Sequence, residues 1–238
     1  MNWRGLADTL LASLFEPPCA ACSRVLTQPL DGAVCEHCWA SIRRGTPLTE
    51  HGHGAQHVDW ACAVDHYEGR LRDIIHALKY DRRRSIAPPL GALMRASGAL
   101  LLQGAEVAVP VPLHPRRERT RGFNQADDLA RQLGVAVVPL LQRVKFTTSQ
   151  IELPADERHQ NVRDAFAIAD GPANRLRQGD GGQVGAQEAG RHMPSVVVLV
   201  DDVSTTGATL EACARVLKAA GVKEVRALTA ARVVTGRR

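Results

Sequence analysis

Two spacings of apolar residues alternate along this chain. Short runs rich in apolar and β-branched residues predict strands over 62–67, 106–112, 196–200 and 224–234. A strand covered on both faces is apolar throughout, which is the pattern of Val196 to Val200. Between the runs, apolar residues recur three and four apart and predict helices. Leu71, Ile74, Ile75 and Leu78 share one face of a helix predicted over 69–80. Pro88 and Pro89 open a second, running to about Leu102. Asn124 caps a third, which carries Ala126, Leu129, Ala130 and Leu133 and stops at Gly134. A fourth runs from about Leu210 to Ala220. Strands alternating with helices imply crossover connections, so the expected fold class is α/β with a mainly parallel sheet.

The alternation begins at about Ala61, which divides the chain into residues 1–48, a linker over 49–60 and an α/β domain over 61–238. Residues 3–15 predict an amphipathic helix with Leu6, Leu10, Leu11 and Leu14 on one face, packing on the core or on a partner. With Arg4 and Asp8 it is too short and too charged to span a bilayer. No small-residue cleavage pattern marks it as a signal peptide, so the expected compartment is the cytoplasm. Residues 135–168 predict a short strand and an extended excursion. Residues 170–194, rich in Gly, Gln and Arg without periodicity, predict a mobile insertion.

The strand at 196–200 is followed by Asp201-Asp202-Val203-Ser204-Thr205-Thr206-Gly207-Ala208-Thr209 and then by a helix. A crevice beyond the carboxyl end of a parallel strand is where open α/β sheets bind ligands. The small residues Ser204, Thr205, Thr206, Gly207, Ala208 and Thr209 let the backbone wrap an anion. Their N–H groups and hydroxyls, with the helix N-terminus, suit a phosphate. Asp201 and Asp202 repel such an anion and suit the other end of a sugar phosphate, accepting hydrogen bonds from ribose hydroxyls or helping to hold Mg²⁺. A phosphate cup beside a diol clamp describes a ribose 5-phosphate site.

Composition narrows this only slightly. With 238 residues and 45% hydrophobic content, the chain can bury one α/β core plus a small module. Aromatic residues make up 4%, which leaves few platforms for stacking nucleic-acid bases. The net charge of +5 permits an anionic partner without demanding one. Cys19, Cys22, Cys35 and Cys38 form two C-x2-C knuckles separated by twelve residues. That spacing places four thiolates around a structural Zn²⁺, and disulfides are the weaker explanation in a reducing compartment. A four-thiolate shell has no open position, so this zinc would hold the fold rather than catalyse. Cys213 reads as a small core residue. His51, His53, His57 and Cys62 read either as part of a solvated, glycine-separated loop or as a second metal set.

Residues 109–130 read Val-Pro-Val-Pro-Leu-His-Pro-Arg-Arg-Glu-Arg-Thr-Arg-Gly-Phe-Asn-Gln-Ala-Asp-Asp-Leu-Ala. With Leu78-Lys79-Tyr80, the Gln150 region and the Arg-x-x-Asn-x-x-x-Ala-Phe of residues 158–166, this resembles the signature of the ComF family (ComFC and GntX-like proteins). The resemblance covers roughly Pro17 to Val234, and the 196–210 segment resembles the PRPP-binding motif of type I phosphoribosyltransferases. It implies a type I phosphoribosyltransferase-like domain preceded by a small N-terminal zinc-binding module, with PRPP and Mg²⁺ at the acid pair and the phosphate loop. It also implies a pyrophosphate side after the Val109–Pro112 strand, at Leu113, His114, Arg116, Arg117 and Arg121, with a solvated basic loop as the alternative. The excursion from Arg143 to Arg163 matches a movable flap, with Lys145, Gln150 and Arg158 as contacts or as structural ties.

Three functions fit these features. One is PRPP-dependent phosphoribosyl transfer to an unidentified acceptor. ComF relatives are implicated in DNA uptake during natural transformation, so a second is a single-stranded-DNA-handling competence factor acting with competence proteins. Its phosphate contacts would come from Arg82 to Arg84 and Arg116 to Arg121. A third is PRPP sensing without turnover.

Overall fold

The computed structural model describes residues 3–43, 48–51, 56–145, 164–169 and 193–233. Its sheet strands, among the described residues, are β1 (Leu48–His51), β2 (Trp60–His66), β3 (Val107–Pro110), β6 (Val196–Ser204) and β7 (Glu224–Arg232), in the order β1-β2-β7-β6-β3. Four of these, β2, β7, β6 and β3, are mutually parallel, and β1 pairs antiparallel with β2 at the edge. Between β3 and β6 in sequence, β4 (Leu141–Arg143) and β5 (Phe166–Ile168) form a separate antiparallel pair. The α/β class with a parallel sheet is thus the observed architecture.

Among the described residues the α-helices are α1 (Trp3–Phe15), α2 (Glu36–Arg43), α3 (Gly69–Tyr80), α4 (Ala87–Ser97), α5 (Ala99–Leu102), α6 (Pro115–Arg121), α7 (Gln125–Ala130) and α8 (Ala208–Ala219). None is long and apolar enough to cross a membrane. In α1, Trp3, Leu10 and Phe15 are exposed, so Leu10 does not serve the packing face expected of it.

Strand alternation divides the core in two. Val198 and Val200 of β6 join Ile74, Leu78, Leu90 and Leu129, from α3, α4 and α7. Val197 and Leu199 join Leu141 and Phe166 of the small sheet and Cys213 and Leu217 of α8. Cys213 is fully buried there, as its sequence context suggests.

Several expected boundaries move. Part of the region read as a linker is strand β1. The helix expected to continue to Leu102 divides at Gly98, where a Cβ would lie 2.7 Å from both terminal methyls of Leu228. The basic segment after β3 is a short helix, α6, and not a loop. The 196–200 strand continues to Ser204, so the acid pair lies inside it rather than beyond it. The insertion at 170–192 lies outside the described residues.

The N-terminal cysteine region is joined to the rest. Leu26, Val34, Trp39 and Ile42 belong to the same apolar cluster as Ile74 and Leu78. Arg70 of α3 donates from Nη1 to the Ala21 carbonyl at 2.6 Å. Helix α3 also has an unusual course. It begins three residues after β2 ends, and its Lys79 meets Asp202 near the end of β6, with β7 lying between those two strands. Both ends of α3 therefore sit at the carboxyl edge of the sheet.

Helices α4 and α7 approach closely at Gly91, where a Cβ would fall 2.4 Å from Gln132 Cβ and 3.3 Å from the Leu129 carbonyl oxygen. Gly91→Ala is expected to lower unfolding free energy by about 1–3 kcal/mol, since overpacking moves backbone as well as side chains. Urea denaturation of the two proteins measures this, and equal midpoints would refute the close approach.

Candidate functional site at the carboxyl edge of the sheet

Because β6 remains extended through Ser204, Asp201 and Asp202 point to opposite faces of the sheet. The expectation of two carboxylates standing together beyond the strand is corrected on this point. Asp202 turns to the α3 side, where it is 6% exposed and 2.9 Å from Lys79 Nζ. Burial works against the Lys79 ammonium, but the charge and hydrogen bond of Asp202 outweigh it and raise its pKa. Asp201 accepts the Asp202 backbone N–H at 2.8 Å. Its own pKa is pushed up to about 7, first by burial and then by the charge of Asp202, while Lys79 and Arg143 act the other way.

The loop after the acids opens helix α8. Gly207 has φ +76°, a conformation that suits glycine, and it caps the helix. The Ala208 N–H donates to Thr206 Oγ1 at 3.4 Å, and the Val233 N–H donates to the Ser204 carbonyl. Thr205 and Thr209 lie in the same turn and first helical residues. One turn on, Glu211 accepts the backbone N–H groups of Gln56 and His57, and His57 Nδ1 lies 2.5 Å from Glu211 Oε1. Burial opposes ionising Glu211, and the bonds from His57 and Gln56 outweigh it and lower its pKa. His57 is thus tied to α8. Cys62 is buried in β2 with Sγ 3.6 Å from the Ser97 carbonyl oxygen, and His51 lies in β1. His53 lies outside the described residues. Among the described residues, that second set forms no metal cluster.

Beyond β3, Leu113 is half-buried and His114 caps α6, its Nδ1 accepting the Arg116 N–H at 3.1 Å. Loss of water contact, then the charges of Arg143, Arg117, Arg119 and Arg116, lower the His114 pKa and favour that acceptor role. Arg121 lies 5.3 Å over the Tyr80 ring and donates to Gln125 Oε1 at 3.1 Å. Arg82 donates to the Thr120 carbonyl at 2.6 Å, and Arg84 makes a two-pronged contact with Asp128 at 2.8 and 2.6 Å. The two arginine-rich stretches, 34 positions apart in sequence when counted from Arg82 to Arg116, are therefore neighbours. A cavity of about 520 Å³ opens at this end of β3, walled by Pro110, Pro112, Leu113, Phe123, Leu141 and Arg143 among others. Of the residues expected on the pyrophosphate side, Leu113 lines it, and His114, Arg116, Arg117 and Arg121 do not.

Lys145 is exposed just past β4, while Gln150 and Arg158 lie outside the described residues. Two charged residues emerge without an assigned role from the sequence. Lys79 appeared only within the Leu78-Lys79-Tyr80 resemblance. Arg143 appeared only as the start of the excursion. It packs 5.2 Å over the Phe166 ring, and burial and Arg117 lower its pKa. The signal for Lys79 was a cation closing the apolar face of a helix, which a solvated helix end also shows.

At the N-terminal end, the Sγ atoms of Cys19, Cys22, Cys35 and Cys38 all lie within 4.8 Å of one another. The Cys22–Cys35 and Cys19–Cys38 separations are 3.7 and 4.0 Å. Four thiolates at about 2.3 Å from Zn²⁺ would be about 3.8 Å apart, so the donor set fits one tetrahedral ion. Burial opposes ionising Cys19, but the backbone N–H groups of Cys35, Ala21 and Cys22 outweigh it and bring its pKa to about 6. Burial raises Cys35 and Cys38, which a bound cation would reverse.

Residues 119–238 match the phosphoribosyl transferase domain family. The fold and the acid-bearing strand end thus define a protein with a phosphoribosyltransferase-type domain. The chain is similar to "Competence protein F" of Haemophilus influenzae, 33% identical over 172 residues and 68% of each chain. It is similar to "DNA utilization protein YhgH" of Escherichia coli K12, 31% identical over 225 residues, covering 87% of this chain and 86% of that one. It also resembles "Competence protein ComFC" of Streptococcus pneumoniae, 28% identical over 124 residues, 52% of this chain and 47% of that one. The chain belongs to the ComF family.

Zinc analysis of purified protein is expected to give about one ion per chain. Stripping it, or Cys35→Ser, is expected to lower the melting temperature by roughly 10 °C, because the knuckles share a core with α3. A metal-free protein with an unchanged melting curve would contradict this.

Proposed function

We propose that the crevice at the carboxyl ends of β6 and β3 binds PRPP with Mg²⁺ and that the protein transfers its phosphoribosyl group to an acceptor in a DNA-uptake or DNA-utilisation process. The observation that carries this reading is the order at the end of β6 in a phosphoribosyl transferase-family chain: acid pair, hydroxyl-rich turn, left-handed Gly207 and the α8 N-terminus. The process comes from the relatives' names.

In this reading the turn of Ser204 to Thr209 holds the 5-phosphate through N–H groups and hydroxyls. Asp201 accepts the ribose diol. Departing pyrophosphate gathers negative charge, which the cations of α6 and Arg143 oppose. Mg²⁺ supplies further charge neutralisation on the pyrophosphate. Lys145, Gln150 and Arg158 belong to the segment that would close over the sugar and exclude water, since hydrolysis competes with transfer.

A second reading is supported by the junction of the two arginine stretches. Arg82, Arg83, Arg84, Arg116 and Arg119 are exposed on one joined surface that includes Tyr80. Such a surface can track the phosphates of a single strand. Arg82→Ala with Arg83→Ala is expected to flatten the salt dependence of single-stranded DNA binding without changing PRPP calorimetry. Salt-independent binding would remove this reading.

Calorimetry with PRPP and Mg²⁺ is expected to show saturable binding, reduced at least about tenfold by Asp201→Asn. The ionised carboxylate accepts from both hydroxyls of a diol more strongly than the neutral acid, so affinity should be highest above pH 7 and fall as pH drops through about 7. Absence of binding to folded protein would end the PRPP reading. A flat pH profile would remove Asp201 from the diol.

A further inference from the structure

The cavity of about 520 Å³ beside β3 is separate from the turn that follows the acid pair: no residue of the 201–209 segment walls it. Its flat sides are apolar, from the rings of Pro110, Pro112 and Phe123 and the side chains of Leu113 and Leu141. Its polar edge is made mostly of acceptors. Glu118 of α6 lines it and forms no ion pair among the described residues. Gln142 of β4 lines it and donates from Nε2 to the Ile168 carbonyl at 3.2 Å, which leaves Oε1 to accept. Asp127 and Asp128 complete this edge, the first held by Arg131 at 2.9 Å and the second by Arg84 at 2.6 Å. Apolar sides with acceptors along the edge suit a flat ring that carries an amino group. They do not suit pyrophosphate, which the carboxylates would repel.

The rim of the same cavity is basic. Arg84 stands in its wall with the guanidinium 5.2 Å over the Phe123 ring, fixed in that plane by both oxygens of Asp128. Arg82 and Arg83 precede it and are exposed. Arg82 reaches the Thr120 carbonyl of α6, the helix whose Pro115 and Glu118 wall the cavity and whose Arg119 is exposed beside them. Acceptors inside and cations outside match a nucleotide that enters ring first and leaves its phosphate at the mouth.

We propose that this cavity takes one unstacked base of single-stranded DNA, with the strand's phosphates on Arg82, Arg83 and Arg119, and that it selects bases with an exocyclic amine. The amine donates to the Glu118 carboxylate and to Gln142 Oε1, and the ring lies against the apolar walls. Cytosine, adenine and guanine carry such an amine and thymine does not. In a duplex the amines of cytosine and adenine are engaged in pairing and the bases are stacked, so the cavity reads single strands. The volume is that of a pocket for a small ligand and holds one nucleotide unit. This deepens the reading of the joined arginine surface and rests on it.

The test is fluorescence anisotropy of the full chain with end-labelled oligo-dC and oligo-dT of equal length. Surfaces that only track phosphates and stack bases discriminate weakly, so the ratio of the two affinities reports the cavity. The wild type is expected to bind oligo-dC at least about fivefold more tightly than oligo-dT. Glu118→Met removes an exposed acceptor and is expected to bring that ratio towards one, whatever its loss of charge does to both affinities. Arg82→Ala with Arg83→Ala is expected to weaken both oligomers and keep the ratio. Equal affinities in the wild type, or an unchanged ratio in Glu118→Met, overturn the proposal while leaving the arginine surface standing. Deoxycytidine monophosphate binding as tightly as oligo-dC also overturns it, in favour of a free nucleotide. Absence of binding by either oligomer would end the surface reading and this proposal together.

Discussion

Strand β6 is covered on both faces, and that single constraint organises the molecule. Val197 and Leu199 enter one core and Val198 and Val200 the other, all fully buried. An alternation that rigid does not stop where the apolar residues stop. It carries into Asp201 and Asp202, sends their side chains to opposite faces, and sets Asp202, 6% exposed, against α3. A buried carboxylate needs a partner, and breaking such a pair typically costs about 3–5 kcal/mol. Lys79 supplies that partner at 2.9 Å.

The same pair explains the course of α3. A crossover helix ordinarily packs down the face of its sheet, whereas this one keeps both ends at the carboxyl edge. There it has three neighbours: the cysteine knuckle through Arg70, the acid strand through Lys79, and α6 through Tyr80 beneath Arg121. Helix α3 thus links the cysteine knuckle to the end of β6 through direct contacts. The His57–Glu211 contact adds a further tie, from the segment before β2 to the first turn of α8. Elements far apart in sequence therefore converge on the helix and strand that frame the crevice.

Periodic patterns were legible where one core imposes one period. Helix α3 appears over the residues that Leu71, Ile74, Ile75 and Leu78 mark, and Asn124 caps α7 through its side chain as its type suggests. The cysteine spacing likewise gathers four thiols, since two short knuckles leave little freedom in where the sulfurs fall. What local pattern missed was decided by distant neighbours. Leu228 approaches so closely at Gly98, between α4 and α5, that it leaves no room for a side chain there. Leu48–His51 becomes strand because β2 offers it an edge, although its sequence carries no strand period. The arginines of α6 looked like a loop because His114 caps a helix with no apolar face.

The sequence by itself determined the class of this protein: strand and helix periods, thiol spacing, and the acid pair followed by a small hydroxyl-rich turn are all local, and local sterics and hydrogen bonding suffice to express them. Tertiary structure alone decided which carboxylate pairs with a lysine, because that depends on Lys79, remote in the chain, meeting Asp202. It also decided that Arg82 to Arg84 and Arg116 to Arg121 form one surface. Charge pairing across the sheet edge acts through space, and no spacing along the chain encodes it.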